Sequence, residues 1–269
     1  MSTDTTAPAG FFERIDEYRF KPTQHAQGAW NAEDHHFSPL AGLIAHAIEC
    51  HSAQRPDRGL ALGRISYDIL GRLALEECEI NVRTLRPGRT IELLEAVVTI
   101  AERPVVRARA WFLATADTST VARSPVRPLA SPESFPTWPM HELWTGGYVS
   151  SLDVRRNASA QAGRATAWIS THVPLLTGEP VSPTASFLAL VDTANGIAVQ
   201  QEPTGWMFPN LDLTVHLHRR PEGDWTGLDT TATFGPSGQG LTSSVLHDVL
   251  GPVGQAEQIL TVRPVPPVS

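Results

Sequence analysis

The sequence predicts an α+β fold made of two tandem modules, in each of which one long helix is wrapped by an antiparallel sheet. A Ser-Pro pair of the kind that opens helices occurs at Ser38 and again at Ser182, 144 residues further on. Long strand pairs begin after Gly88 and Gly238, 150 residues apart, and a proline-rich segment separates the two halves. These similar spacings indicate a duplicated unit with a small insertion.

Composition is typical of a globular protein with a large core. Hydrophobic residues make up 41% of the 269 residues and charged residues 18%. The net charge is −7 and no basic run is present, which argues against a nucleic-acid partner. No apolar stretch reaches the ~20 residues of a membrane span.

Cysteine usage and the N-terminal residues predict a cytoplasmic protein. Cys50 and Cys78 are too few for a disulfide framework, so a reducing compartment is expected. The opening residues MSTDTTAPAGFF lack a charged start followed by an apolar core, so no signal peptide is expected.

The first half predicts a helix followed by strands. Residues 38–52 carry apolar side chains at helical spacing, with Ser38 as the N-cap. Residues 78–83 alternate apolar and polar, as in a half-buried strand. Residues 89–114 predict a long hairpin that turns at 102–104.

The middle of the chain predicts a connector. Five prolines lie within residues 116–145, at positions 125, 128, 132, 136 and 139, a density incompatible with a long helix or a central strand. The chain is therefore divided into an N-terminal module at 1–115, a proline-rich linker at 116–145 and a C-terminal module at 146–269.

The second half repeats the same order of elements. Residues 182–196 predict a helix with Ser182 as its N-cap and Gly196 as its stop. The next strand is expected to bury the four apolar side chains Leu211, Leu213, Val215 and Leu217. A second hairpin is expected to turn at 251–252.

Asp192 is the unusual residue of this predicted helix. It falls in the last turn, where the helix dipole is negative, so a carboxylate there gains nothing from the dipole. It is surrounded by apolar residues, and burying it without partners would cost several kcal/mol. A functional role would explain its position, since burial also makes a carboxylate a stronger base.

Several segments together resemble the double-hotdog acyl-CoA thioesterases of the type II (TesB-like) family. They occur in the family's order, and they are FKPTQHAQGAWN, SPLAGLIAHAIE, RTLRPGRTIELLEAVV, LALVDTANG, NLDLTVHLHRRPEGDW and GPVGQAEQILTVRP. The resemblance implies a double-hotdog fold and hydrolysis of an acyl-CoA thioester without a metal or another cofactor. By family analogy it also implies a homo-oligomer.

The same resemblance implies three catalytic residues that hold the attacking water. Asp192 matches the family's helix Asp, and Gln258 matches the Gln of the last strand. The third position falls on Asn210, where better-known members have Thr or Ser. An amide can position a water, but it is neither a nucleophile nor a base. A backbone N–H is the expected donor to the oxyanion.

The three residues also fit ordinary structural roles, and the protein also fits other functions. Asp192 and Asn210 are also consistent with turn residues, and Gln258 with a solvent-facing strand residue. The whole protein is also consistent with a non-catalytic acyl-binding or scaffold protein, or with an enzyme acting on a carrier-protein thioester. A hydratase of this fold would resemble an Asp-x4-His pattern, but Ile197 stands at the histidine position.

Several further residues are weaker candidates. Glu49 lies near the counterpart of Asp192 in the first helix, either as a second acid or as a solvated or capping charge. His46 and Cys50 are spaced for two metal ligands on one helix, but no further ligand pattern follows, and His216 and His218 are similarly incomplete. Four arginines were considered for the phosphates of CoA: Arg86, Arg89, Arg219 and Arg220.

Overall fold

A computed structural model describes residues 9–54 and 59–266, and within them it shows one twelve-stranded antiparallel sheet and a separate two-stranded ribbon. Residues 1–8, on which the prediction of no signal peptide largely rests, lie outside this described part. Within the described ranges, none of the helices combines the length and the apolar character that crossing a bilayer would require.

The described residues form fourteen strands and four α-helices. In chain order the strands are β1 (Phe12–Arg14), β2 (Arg19–Pro22), β3 (Leu60–Ile69), β4 (Cys78–Arg86), β5 (Ile91–Ile100), β6 (Arg103–Ala114), β7 (Leu152–Arg156), β8 (Arg164–Thr171), β9 (Trp206–Met207), β10 (Asp212–Leu217), β11 (Thr226–Phe234), β12 (Gln239–Asp248), β13 (Gly251–Thr261) and β14 (Arg263–Pro264). The helices are α1 (Phe37–Ala53), α2 (Gly147–Ser150), α3 (Pro183–Val191) and α4 (Ala194–Ile197).

The order of strands in the sheet reveals the duplication. It runs β1-β2-β4-β5-β6-β3 in the first half and β10-β13-β12-β11-β8-β7 in the second, so the halves mirror each other across the β3–β10 pair. The first residues of β4 and β11 are 148 residues apart, and so are those of β5 and β12 and those of β6 and β13. The predicted double hotdog, an α+β fold of two tandem modules, is confirmed.

The two long helices pack closely against each other between the two halves of the sheet. A Cβ atom on Gly42 of α1 would lie 2.5 Å from the Cβ of Ala189 in α3, so a glycine is needed for this approach. The Ser182 hydroxyl at the start of α3 bonds Glu49 in the last turns of α1, which shows that the helices run antiparallel. The start of α1 therefore lies beside the end of α3.

The helix boundaries differ from the predictions in two places. Ser182 is the N-cap of α3 as predicted, but the N-cap of α1 is His36, whose Nδ1 accepts a hydrogen bond from the N–H of Ser38. The helix predicted to stop at Gly196 ends at Val191, because the N–H of Thr193 bonds the carbonyl oxygen only three residues back and tightens the turn. Gly196 lies inside α4.

Both hairpin turns also lie slightly earlier than predicted. The first turn is Ala101-Glu102, both at positive φ, and the second lies at 249–250. Pro104 and Pro252 were expected in the turns, but they lie inside β6 and β13, opposite irregularities in strand register. A proline is tolerated at such a bulge, where its missing N–H breaks no regular ladder bond.

The segment 116–145 forms three short 3-10 helices, at Ser119–Val121, Pro132–Ser134 and Met140–Glu142, and within it the structure shows no strand longer than an isolated bridge. Its first part is exposed, whereas Met140 and Trp144 near its end are 3% and 4% exposed. Its second part therefore belongs to the core. The exact division of the chain into 1–115, 116–145 and 146–269 stays a prediction.

Candidate active site

Asp192 lies where the end of α3 meets the start of α1. It is the C-cap residue of α3 and is 6% exposed. The nearest charged or ionisable neighbour across the helix pair is His36, whose Nδ1 lies 3.9 Å from Asp192 Oδ2. The predicted acid is therefore buried, and it lies at the junction between the end of α3 and the start of α1.

One oxygen of this carboxylate is held by two amides. Asp192 Oδ1 accepts hydrogen bonds from Asn210 Nδ2 at 2.8 Å and from Gln258 Nε2 at 2.7 Å. Asn210 lies two residues before the start of β10, and Gln258 lies on β13, the neighbouring strand. The structure thus brings together all three residues that the sequence singled out.

The two amide side chains donate hydrogen bonds around Asp192 through their nitrogen atoms, which leaves their oxygen atoms as acceptors. Asn210 Nδ2 also donates to the carbonyl oxygen of Asp212, at 3.0 Å, so both of its hydrogens are committed. Gln258 Oε1 is buried and, within the described residues, has no hydrogen-bond partner. The two amides therefore offer further hydrogen-bond acceptors beside Asp192, and no further donors.

Burial shapes the protonation of the site. It raises the pKa of Asp192 to about 6, and the hydrogen bonds from Asn210 and Gln258 pull this pKa down only in part. Burial lowers the pKa of His36 to about 3. At neutral pH the carboxylate is therefore ionised and the imidazole is neutral, so the two do not form an ion pair.

His36 is oriented by its surroundings. Its Nδ1 accepts from the Ser38 N–H, which places the ring proton on Nε2, and the ring stacks on Tyr148 with 4.0 Å between centroids. The Tyr148 hydroxyl in turn lies 2.7 Å from Thr193 Oγ1, next to the acid. These contacts fix the start of α1 and the end of α3 relative to each other.

A cavity of about 520 Å³ opens beside Asp192 and Asn210. Its lining is mostly apolar, and the lining residues differ widely in their exposure. Met140, Trp144 and Val149 are at most 4% exposed, whereas Leu70 and Leu211 are 54% and 49% exposed. The cavity therefore has an enclosed apolar end and an open end, with the carboxylate on its wall.

Leu211 corrects one sequence prediction. It was expected to be buried with its strand neighbours, and Leu213, Val215 and Leu217 are indeed buried, at 0%, 0% and 9% exposure. Leu211 comes just before β10 and lies at the mouth of the cavity, so its side chain is left half exposed.

The four arginines considered for CoA do not line this cavity. Arg219 is bound by both oxygens of Asp248 at 2.5 Å and braces the β12–β13 hairpin. Arg72 and Arg263 lie on the cavity wall, and Arg72 is paired with Asp34 at 2.6 Å. Arg263 bonds the hydroxyl of Thr261 and carries no ion pair within the described residues.

The other candidates have structural partners. Glu49 accepts a hydrogen bond from the hydroxyl of Ser182, the N-cap residue of α3, at 2.5 Å. His46 Nε2 lies 3.5 Å from the Cys50 thiol. In the part of the chain that the structure describes, no three His, Cys, Asp or Glu side chains are grouped so as to hold a metal ion.

Sequence reasoning missed three contributors to the site: His36, Met140 and Trp144. His36 lies two residues before the Ser-Pro pair that predicts the start of the first helix, and this position was a usable signal. Met140 and Trp144 lie in the segment interpreted as a linker, and no periodicity there indicates burial.

Comparisons with known proteins identify the family. A family model of the acyl-CoA thioesterase N-terminal domain matches residues 26–113, and one of the acyl-CoA thioesterase C-terminal domain matches residues 132–262. The chain therefore belongs to the acyl-CoA thioesterase family, and its class is that of thioesterase-type hydrolases. Among curated protein sequences, none is significantly similar to it.

Solved structures share the fold at low sequence identity. The TesB protein of Mycobacterium avium subsp. paratuberculosis is 19% identical, with a TM-score of 0.67, covering 94% of this chain and 96% of that one. The acyl-CoA thioesterase II TesB2 of Mycobacterium marinum is 14% identical, with a TM-score of 0.67 and 96% of each chain covered. A hot dog fold protein of unknown function from Alicyclobacillus acidocaldarius is 14% identical, with a TM-score of 0.71, covering 95% of this chain and 96% of that one.

Proposed function

We propose that the protein hydrolyses acyl-CoA thioesters, with a water molecule activated by Asp192 and oriented by Asn210 and Gln258. The observation that carries the proposal is the asymmetry of the carboxylate. Oδ1 is held by two amide donors, whereas Oδ2 accepts no hydrogen bond from the described residues and faces the junction beside the cavity. Oδ2 is the atom placed to accept a proton from water.

The surroundings of Oδ2 suit a nucleophilic water. Both Asn210 Nδ2 hydrogens are committed elsewhere, so the Asn210 side chain offers only Oδ1 to the cavity. A water that donates one hydrogen to Asp192 Oδ2 and the other to Asn210 keeps its lone pair for attack. The pKa of about 6 leaves the carboxylate ionised at neutral pH and more basic than an exposed one.

The chemical step then balances without a cofactor. The water oxygen attacks the thioester carbonyl carbon while its proton passes to Asp192 Oδ2. Collapse of the tetrahedral intermediate breaks the carbon–sulfur bond, and the proton leaves with the CoA thiolate. The start of α1 reaches the cavity through His36 and Phe37, so a backbone N–H of its first turn is the proposed donor to the oxyanion.

The open end of the cavity favours an anionic carrier over a neutral one. Arg263 lines the mouth, and within the described residues it bonds only a neutral hydroxyl, so its charge remains available. The diphosphate of CoA and the phosphate of a carrier-protein arm both fit such a cation. CoA is proposed because the family models are those of acyl-CoA thioesterases.

The cellular setting is likewise a proposal. Cytosolic location is supported by the unpaired cysteines Cys50 and Cys78. Self-association is proposed by family analogy alone, because backbone hydrogen bonds from residues 174–177 and 136–138 cover the outer edges of β1 and β7.

A non-catalytic acyl-binding protein is the second candidate, and the amide at Asn210 is the feature that favours it. The test is hydrolysis of a panel of acyl-CoA thioesters by the wild type and by Asp192→Asn, followed as release of free thiol. The proposal predicts an active wild type and a variant that has lost most activity. Binding without turnover by both proteins would establish the second candidate, and equal turnover by both would refute the role of Asp192.

A further inference from the structure

The enclosed end of the cavity is built by the segment between the two modules. Met140 and Trp144 both line the cavity, and both are nearly fully buried. Neither belongs to the helices or long strands that carry the acid and the amides. The segment that joins the modules therefore also forms a wall of the candidate site.

Trp144 is a fixed part of this wall. Its indole Nε1–H donates to the carbonyl oxygen of Gly196 at 3.0 Å, which ties the segment to α4. Its ring meets Trp30 edge-on, with 4.9 Å between centroids, and Phe208 with 5.9 Å. A side chain held on several sides in this way leaves little room to adapt.

Met140 is the adaptable part. Its thioether chain has three rotatable bonds, and its tip lies over the bare α-carbon of Gly196. A Cβ atom at position 196 would lie only 2.7 Å from Met140 Cε, and 3.4 Å from Trp144 Nε1. The glycine thus leaves the space in which the Met140 methyl group now rests.

We propose that Met140, seated on Gly196 and backed by Trp144, is the end stop that sets the length of the acyl chain. The inference rests on the proposed function, because it requires the enclosed end to hold an acyl group while the thioester lies beside Asp192. The polarity of this part of the cavity supports the orientation, since Met140, Trp144 and Val149 are apolar and nearly fully buried. A straight aliphatic chain is the substrate class that this end accepts.

Shortening the stop lengthens the preferred chain. Met140→Ala removes three heavy atoms, which frees room for about three methylene groups. Each methylene that moves from water into the apolar end is worth roughly fourfold in affinity. We expect the preferred chain to grow by about two to three carbons.

A larger residue at position 196 is expected to shorten the preferred acyl chain. In Gly196→Ala the new methyl group displaces the Met140 tip into the cavity, so the preferred chain becomes shorter. The double variant Met140→Ala/Gly196→Ala should prefer the same length as Met140→Ala alone, because the group that is displaced is gone. This non-additivity identifies Met140 as the moving part.

The experiment measures dissociation constants for straight-chain acyl-CoA thioesters, from butanoyl to hexadecanoyl, in the Asp192→Asn background, which blocks turnover. Met207→Ala is the matched control, because Met207 lines the same cavity on β9, where it pairs with Arg263 of β14. It should change affinity by a similar factor at every chain length.

Two outcomes overturn the end stop alone: binding whose length dependence is the same in wild type and Met140→Ala, or an equal shift in Met207→Ala. Absence of any acyl-CoA binding by Asp192→Asn, together with absence of hydrolysis by the wild type, would instead remove the proposed function, and the end stop with it.

Discussion

The two modules carry the same carboxylate arrangement but differ in what surrounds it. Each long helix has an acid near its end that faces the N-cap residue of the other helix: Asp192 faces His36, and Glu49 faces Ser182. Ser182 donates a hydrogen bond to Glu49 at 2.5 Å, whereas His36 Nδ1 stays 3.9 Å from Asp192 and uses its lone pair on α1.

The sheet positions around the two acids differ more strongly. The counterparts of Asn210 and Gln258, 148 residues earlier on the matching strands, are Leu62 and Ala110. These two residues are 9% and 0% exposed, so the same places in the N-terminal module are part of the core. The duplicated fold supplies two places for an acid, and only one has amides to hold it beside the cavity.

A buried acid alone does not define the site, because both modules have one. Glu49 is satisfied by a serine that caps a helix, and burial raises its pKa as it does that of Asp192. What distinguishes Asp192 is one oxygen held by two amides and a second oxygen left open.

The largest expected effect is on catalysis. Asp192→Asn should lower kcat by about 10²- to 10⁴-fold, the range for loss of a general base. Glu49→Gln should leave kcat close to the wild-type value, because Glu49 does not line the described cavity. Steady-state thiol-release assays measure both. A comparable loss in Glu49→Gln would show that both modules are active.

The second expected effect of Asp192→Asn is an increase in the free energy of unfolding. The folded-state pKa of Asp192, about 6, lies above its ordinary value of 3.8, so its contribution to stability is full below pH 3.8 and is lost as pH rises through 6. Asp192→Asn should therefore unfold with a free energy about 3 kcal/mol higher than wild type at pH 8. The gain should shrink towards pH 4. Denaturant unfolding at the two pH values measures it, and a destabilised variant at pH 8 would contradict it.

Converting the active site towards its counterpart should remove activity in steps. Gln258→Ala copies Ala110 and takes away one hydrogen bond to a charged group, worth about 1.5–3 kcal/mol, so kcat/KM should fall roughly 10- to 100-fold. The acid limb of the pH profile should also move to higher pH, because this hydrogen bond lowers the pKa of Asp192. The control is Gln255→Ala, an exposed position on the same strand. A loss of rate with no movement of the limb would argue for a purely structural role.

The smallest effect is expected at Asn210. Asn210→Leu copies Leu62 and should lower kcat/KM by about tenfold, since it removes one donor to Asp192 Oδ1 and the oxygen proposed to accept from the water. Asn210→Thr keeps a group that can donate to the carboxylate, so it should retain most of the activity. Kinetics of the two variants decide the matter, and equal losses in both would mean that the amide itself is required.

Much of the fold was predictable because it repeats. The Ser-Pro helix starts and the alternation of apolar residues in strands such as β4 depend on local preferences, which the sequence displays directly. The exact ends were harder to predict. Pro104 and Pro252 suggested turns, but strand bulges accommodate both, and pairing between strands decided the register.

The site was predictable only in its polar part. Asp192, Asn210 and Gln258 were identified by their resemblance to a family, and the structure brings them within hydrogen-bonding distance. The enclosed end of the cavity was not predictable. Met140 and Trp144 follow a run of prolines and have no periodic neighbours, so only tertiary packing places them there.

The pH dependence of kcat/KM for the wild-type protein tests the central claim most directly, because it reports the ionisation of the free enzyme. If a buried Asp192 is the base, kcat/KM falls tenfold per pH unit below an apparent pKa near 6. Activity that stays constant down to pH 4 would contradict the account, since an ordinary exposed carboxylate or no carboxylate at all would then be sufficient.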